Sequence, residues 1–220
     1  MGILDILKRR PNIEGAIGHY NLGSWWANTF TKAEQNYIDA TCSWVIRGPY
    51  RALYSSTTGS QTVASFLFGL AGWFKKSSDR HLARRLLTKA EELLGSGIFD
   101  RHFLYSEMIP IYYPDRDKEE DALANAIRAC EMQIAIEKEA ASAFRRAWER
   151  DELPSHRGFK QLAIIREKEK NYSEAIRLSR TAFQRGWAGD WEKRIARCER
   201  RETKLKRAIN KDSHPNGGCL

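Results

Sequence analysis

The amino-acid sequence predicts an all-α protein, and three observations lead to that fold class. Helix-favouring Ala, Leu, Arg, Lys and Glu dominate the 220 residues, only six prolines interrupt them, and alternating β-branched runs are scarce. Apolar residues make up 42% and charged residues 30% of the chain, which is the balance of a protein with a buried core. Amphipathic helices packed around one core, or around two small ones, are therefore expected.

Residues 1–19 are predicted to form a flexible basic leader. Asp5 interrupts the apolar start and Lys8–Arg10 follows it, which is the reverse of the order in a secretory signal. The four cysteines lie far apart and none belongs to a CxxC pair, so neither a disulfide framework nor a zinc site is expected. Together these features predict a cytoplasmic protein.

Residues 20–60 are predicted to form a helical N-terminal cap or subdomain that is rich in aromatic residues. Thr31 and Glu34 have the spacing of a capping box, in which two residues satisfy each other's free backbone N–H groups at the start of a helix. Three interpretations stay open for residues 1–60: an atypical repeat, a cap, and a separate binding element.

From residue 61 to residue 209 the sequence predicts one domain of regular helices. Its longest apolar run, Val63–Phe74, holds twelve residues. A membrane span needs about 20, so a buried helix is expected there. Asp117 and Glu120 are expected to cap the fourth helix, which continues to about residue 150 with a break near residues 137–139. The predicted helices cover residues 61–76, 80–94, 100–113, 118–150, 156–169, 172–185 and 191–209, and residues 210–220 are expected to form a disordered tail.

The spacing of alanines reveals a repeated pattern in this domain. Pairs of alanines seven residues apart recur at Ala83 and Ala90, at Ala122 and Ala129, and at Ala175 and Ala182. The third copy is the most complete, because its alanines follow Phe159, Leu162, Ala163 and the Asn171-Tyr172 turn. This pattern resembles the tetratricopeptide repeat, a helix-turn-helix unit of about 34 residues.

The resemblance covers residues 60–190 and implies α-helical hairpins stacked as a short solenoid with a C-terminal capping helix. The copies depart from the family in their spacing, since Ala83 and Ala122 lie 39 residues apart and Ala122 and Ala175 lie 53 residues apart. Arg166 stands where an aromatic residue is usual, and Trp187 stands where a proline is usual.

The resemblance also implies a groove lined by the first helix of each hairpin, in which such proteins bind a peptide or helix of a protein partner. Tyrosines and charged residues on those helices are the candidate partner contacts. They are Lys75, Tyr112, Tyr113, Arg116, Lys160, Arg166 and Glu167. The competing interpretation is that the charged members form an ordinary solvated surface.

The formal charge of +9 permits contact with nucleic acid, acidic proteins or anionic lipid. The last predicted helix is strongly basic, and its candidate phosphate contacts are Arg197, Arg200, Arg201 and Lys204. Glutamates interrupt this basic cluster, so a capping helix with a polar outer face is the favoured interpretation. A nucleic-acid-associated accessory protein is the alternative.

Two tryptophans flank the start of the last predicted helix. Gly186 has the position of a helix C-cap and Asp190 that of the next N-cap. Trp187, Asp190 and Trp191 are therefore predicted to form a structural joint that wedges the last helix against the preceding hairpin. An aromatic platform for a ligand is the competing interpretation.

Catalytic and metal-binding signatures are weak. The five histidines fall in separate segments, and no HExxH, nucleophile-elbow or phosphate-loop pattern occurs. His102, near Asp100 and Tyr105, is interpreted as a partly buried imidazole, and Ser155 is expected to cap the helix that His156 opens. We therefore expect no catalysis, metal or cofactor, and a scaffold or protein-interaction module instead.

Overall fold

The computed structural model describes residues 15–45, 61–148 and 152–212. Within these ranges the chain forms eleven α-helices and two strands of three and two residues, which confirms the all-α fold class. The predictions for residues 1–14 of the leader, for residues 46–60 and for residues 213–220 of the tail lie outside the described residues. No described helix combines the length and the apolar character that a membrane crossing needs.

The chain divides into two compact units, Met1–Leu94 and Gly95–Leu220. The first unit holds α1 (Gly15–His19), α2 (Gly23–Thr29), α3 (Lys32–Val45), α4 (Val63–Ala71) and α5 (Arg80–Glu92). The second unit holds α6 (Ile98–Tyr112), a 3₁₀ turn (Tyr113–Asp115), α7 (Ala122–Ala135), α8 (Glu137–Trp148), β1 (Leu153–Ser155), α9 (Arg157–Lys168), α10 (Tyr172–Arg185), β2 (Trp187–Ala188) and α11 (Trp191–Asp212). The boundary between the two units falls within the predicted domain of residues 61–209. The first hairpin of that domain, α4 and α5, therefore belongs to the same unit as the N-terminal helices.

The first unit has a core of large apolar side chains, with Trp26, Phe30, Ile38, Leu67 and Phe74 almost fully buried. The predicted capping box is confirmed, because the Thr31 N–H donates to Glu34 Oε2 at 2.8 Å and the Glu34 N–H donates to Thr31 Oγ1 at 3.3 Å. Arg85 of α5 binds the same carboxylate and donates to the Thr29 carbonyl at 2.8 Å. Hydrogen bonds from Arg85 and Thr31 lower the pKa of Glu34 to about 2.

Helices of the second unit pack against their neighbours in chain order. α6 packs on α7, α9 on α10, and α10 on α11, while α7 and α6 both contact α9. α8 packs on α6 beside this series. Small residues at the contacts, among them Ala126, Ala129, Ala163, Ala175 and Ala182, are fully or almost fully buried, which lets the helix backbones approach closely.

Several element predictions were wrong in their details. Residues 15–19 were assigned to the flexible leader but form α1, because Ile17 is fully buried. The fourth helix starts only at Ala122, since the N–H groups of Lys118 and Glu119 both donate to the Asp115 carbonyl and hold the preceding segment in turns. Asp117 and Glu120 are therefore not its capping residues.

A pair of short parallel strands was not predicted. β1 precedes α9 and β2 follows α10, and Leu153 pairs with Trp187 while Ser155 pairs with Ala188. The pairing joins the start of the α9–α10 hairpin to its end. It also brings Trp187 next to His102 of α6, Phe144 of α8 and His156, which immediately precedes α9.

Candidate functional site

His156 caps α9 at the point where β1 leads into the helix. Its Nδ1 accepts a hydrogen bond from the Phe159 N–H at 3.2 Å, so the ring satisfies one of the free N–H groups of the first turn. The predicted cap, Ser155, is instead the last residue of β1 and is exposed. The capping residue is therefore His156, which is fully buried, and not Ser155.

Gln133 of α7 connects this helix start to α6. Its Oε1 accepts the Gly158 N–H at 2.7 Å, and its Nε2 donates to the His102 carbonyl at 3.2 Å. The same Nε2 lies 3.2 Å from His102 Nε2, so that ring nitrogen accepts and the ring proton lies on Nδ1. Gly158 has no side chain, and a Cβ there would lie only 2.8 Å from Gln133 Oε1.

Both histidines of this cluster are neutral at neutral pH. Burial lowers the pKa of His102 to about 4, and burial together with the nearby His102 lowers the pKa of His156 to about 3. The Trp187 indole stacks on His102 with ring centroids 5.7 Å apart and meets His156 edge-on at 4.6 Å. In the described part of the chain no group of three His, Cys, Asp or Glu side chains could hold a metal ion. The two neutral rings are thus packed against Trp187 and buried among the helices.

Trp187 and Trp191 are both buried, with 2% of each residue exposed. The Trp191 Nε1–H donates to the Trp187 carbonyl at 2.6 Å, and the Trp187 Nε1–H lies 3.5 Å from Glu137 Oε2. Gly186 ends α10 in the left-handed region, with φ of 83°. Asp190 immediately precedes α11, and its carbonyl accepts the Arg194 N–H at 3.1 Å. The two indoles lie inside this junction and offer no open face to a ligand.

Glu167 lies beneath α11 and not on an open surface, since only 9% of it is exposed. Arg197 binds its carboxylate with two hydrogen bonds of 2.8 and 2.9 Å, Arg201 with one of 2.5 Å, and Arg194 with one of 3.2 Å. The hydrogen bonds and charges of these guanidinium groups hold the pKa of Glu167 below its usual value, against the opposing effect of burial. Glu167 was predicted as a groove residue, and Arg197 and Arg201 as phosphate contacts, whereas all three fasten α11 to α9.

The other groove candidates separate into different environments. Lys75 belongs to the first unit and is exposed. Arg166 faces α7, where it lies 3.8 Å from the carboxylate of Glu131, and it pairs with Glu169 at 2.8 Å. Tyr112 is half-buried at the end of α6. Of the predicted partner contacts, Tyr113, Arg116 and Lys160 remain as candidates, and all three belong to the second unit.

Tyr113 brings the end of α6 together with the end of α9. The guanidinium carbon of Arg116 lies 4.6 Å from the centre of the Tyr113 ring, and Lys168 Nζ lies 5.5 Å from it. At the other end of α9, Arg157 donates to the Ser106 carbonyl at 2.8 Å. Because residue 157 lies near residue 106 and residue 168 near residue 113, the two helices run parallel.

The side that these parallel helices present is called here the α6/α9 face and consists of Tyr113, Arg116, Lys160, Ile164 and Lys168. Lys160 and Lys168 are exposed and Ile164 is half-buried. Residues 157, 160, 164 and 168 recur at helical spacing, which places them on one side of α9. Lys168 and Ile164 were missed in the sequence, although this periodicity was available to find them.

A second surface, also missed, contains exposed aromatic rings on α6 and α8. Phe103 and Trp148 are 40% and 48% exposed, and their rings lie 5.9 and 4.9 Å from the ring of buried Phe144. Phe99 packs beside Phe144 at 5.0 Å. Exposed aromatic clusters of this kind often serve as protein contacts.

No protein-family model, curated protein or solved structure matches this chain. The resemblance to tetratricopeptide repeats therefore stays a prediction from the sequence.

Proposed function

We propose that the chain is a non-catalytic interaction module whose α6/α9 face binds an acidic peptide or helix of a protein partner. The observation that carries this proposal is the Tyr113 ring held between Arg116 and Lys168 at the junction of two parallel helices. A tyrosine flanked by cations offers apolar contact area together with charge, which is the composition found at protein contacts.

The charge of the α6/α9 face indicates an acidic partner. Among the described residues, no carboxylate lies within 4 Å of the ammonium groups of Lys160 and Lys168. Arg116 pairs with Asp117 at 3.0 Å, but that aspartate side chain is 76% exposed, so the pair is weak and open to exchange. Carboxylates of a partner would form ion pairs with these cations. Ile164, which lies between Lys160 and Lys168 in α9, supplies an apolar contact.

We also propose a cytoplasmic location for this function. Cys42, Cys130 and Cys198 are free thiols in buried positions. Burial raises the pKa of both Cys42 and Cys130 to about 12, so these thiols stay protonated and unreactive. Such cysteines suit a reducing compartment.

Site-specific photo-crosslinking tests the proposal. A photoreactive amino acid replaces Ile164, nuclease-treated cell extract is added, and crosslinked proteins are identified by mass spectrometry. We expect one acidic protein to be crosslinked, and the double change Lys160→Glu and Lys168→Glu should abolish it by like-charge repulsion. The matched control, Lys138→Glu with Arg146→Glu on exposed positions of α8, should leave the yield unchanged.

Two results would contradict the assignment of the α6/α9 face. One is an equal loss of crosslinked protein in both double variants, which would mean that only the total charge matters. The other is a partner that is lost on Trp148→Ser but kept on reversal of the two lysines, which would place binding at the aromatic surface of α6 and α8.

A further inference from the structure

The outer side of α11 carries a continuous row of cations. Lys193, Arg200, Lys204 and Arg207 are spaced by seven, four and three residues and are all exposed. At 3.6 residues per turn they fall within a stripe about 60° wide, and they extend over about 21 Å of helix axis. The buried side of the same helix, marked by Trp191 and Cys198, lies roughly opposite. These four cations are called here the basic stripe.

Glutamates of α11 do not neutralise the basic stripe. Glu199 receives a hydrogen bond of 2.6 Å from Arg180 of α10, and Glu202 lies 3.3 Å from Lys206. Among the described side chains, which in α11 end at residue 210, no carboxylate lies within 4 Å of the charged groups of the basic stripe. The cations of the stripe are therefore not paired with these glutamates, whereas Arg197 and Arg201, on the adjoining side of α11, are committed to Glu167.

Small residues leave room between the cations. A shallow depression on this side of α11 is lined by Ala196, Glu199, Arg200, Thr203, Lys204 and Arg207. Three of these residues are cations, and the single carboxylate is already bound to Arg180. An anionic group the size of a phosphate could approach three cations at once there.

We infer that the basic stripe binds the phosphate backbone of double-helical nucleic acid, independently of base sequence. Four cations in a row over about 21 Å match a polyanion with a phosphate every 3.4 Å along each strand. The stripe contains no aromatic ring on which unpaired bases could stack, which favours a duplex over a single strand. The inference goes beyond the proposed protein contact, because it concerns another helix and another class of ligand.

An anionic membrane is a poorer match for this surface. Helices that lie on membranes insert a broad apolar side between the lipids. The apolar side of α11, with Trp191, Cys198 and half-buried Ile195, packs instead against α10. Among the described positions of α11, the exposed large apolar residue is Ile209. Over these positions the helix therefore has no broad apolar side free to insert between lipids.

Fluorescence anisotropy with a labelled 24-base-pair duplex tests the inference on the full chain. With four phosphate contacts the logarithm of the affinity should fall with the logarithm of salt with a slope of about −3.6, so that affinity drops about 150-fold between 50 and 200 mM salt. The triple change Arg200→Gln, Lys204→Gln and Arg207→Gln should reduce the slope by about three and leave only a fewfold salt effect.

The matched control removes the same charge from exposed positions elsewhere, through Lys76→Gln, Lys138→Gln and Arg146→Gln. It should bind the duplex with nearly the wild-type slope. Equal losses in the two triple variants would overturn the inference, since binding would then follow total charge. Absence of duplex binding at 50 mM salt would overturn it as well, and so would stripe-dependent binding that is seen only with vesicles of anionic phospholipid.

Discussion

The change Gly158→Ala sets helix propensity against packing, and the two effects have opposite signs. Alanine is favoured over glycine inside a helix by about 1 kcal/mol, so propensity alone would stabilise the protein. An added Cβ, however, would lie 2.8 Å from Gln133 Oε1, 2.9 Å from the Cys130 carbonyl oxygen and 3.2 Å from His156 Cε1. Neither oxygen can move cheaply, because one belongs to the backbone of α7 and the other holds the Gly158 N–H.

The magnitude follows from these contacts. Overpacking of a filled site costs about 1–3 kcal/mol, and loss of the Gln133 hydrogen bond adds about 1 kcal/mol. After the gain in propensity is subtracted, we expect Gly158→Ala to lower the free energy of unfolding by about 2 kcal/mol. Urea denaturation followed by far-UV circular dichroism measures this difference as a shift of the midpoint.

Gly69 in α4 is the matched control, because a Cβ at that position would meet no atom within 4 Å. Gly69→Ala should therefore stabilise the protein by about 0.5–1 kcal/mol. If Gly158→Ala raised the urea midpoint as Gly69→Ala does, the close contact between α9, Gln133 and His156 would be refuted.

Three further predictions concern the joint, the buried ion cluster and the histidines. Trp191→Ala should lower the free energy of unfolding by about 3–5 kcal/mol, as measured by thermal denaturation, because the buried indole fills the junction of α10 and α11. A change below about 1 kcal/mol would contradict the enclosed position of the ring. Glu167→Gln should cost about 3 kcal/mol in urea denaturation because it leaves a buried guanidinium group unpaired, whereas Glu174→Gln, which breaks a more exposed pair, should cost under about 1 kcal/mol. Equal costs for the two changes would count against this account. The pKa values of His102 and His156 are depressed in the fold, so the unfolded chain takes up protons first as the pH falls below about 6.5. Stability should thus fall between pH 6.5 and pH 4 by up to about 1.4 kcal/mol per pH unit for each ring, and His156→Asn, which keeps a capping side chain, should halve this slope in urea titrations at pH 5 and pH 7. An unchanged slope would show that His156 is accessible to protons.

Helices were predictable from the sequence wherever local chemistry decided the structure. The Thr31 and Glu34 capping box and the Gly186 C-cap depend on residues close in the chain, and both are present. The start of α7 was misplaced because backbone N–H groups bind the Asp115 carbonyl and hold the segment in turns, an alternative that capping patterns do not reveal. The strands were missed because pairs as short as β1 and β2 form through contact between distant segments and leave no periodic signal.

The candidate sites were less predictable than the helices. Arg194, Arg197 and Arg201 recur at helical spacing, which predicts that they share a side of α11. Which side faces α9 depends on tertiary packing, so the role of Glu167 as their common partner could not be deduced. His102 and His156 are likewise 54 residues apart and meet only because α6 packs beside α9.

The short β1–β2 ladder has a consequence for the order in which the second unit opens. The ladder ties the two free ends of the α9–α10 hairpin, whereas α11 follows it as a single terminal helix. α11 can therefore detach without breaking the ladder, but α10 cannot open without breaking it. Amide hydrogen exchange should divide accordingly into two cooperative steps, with the amides of α11 exchanging at a lower free energy than those of α9 and α10.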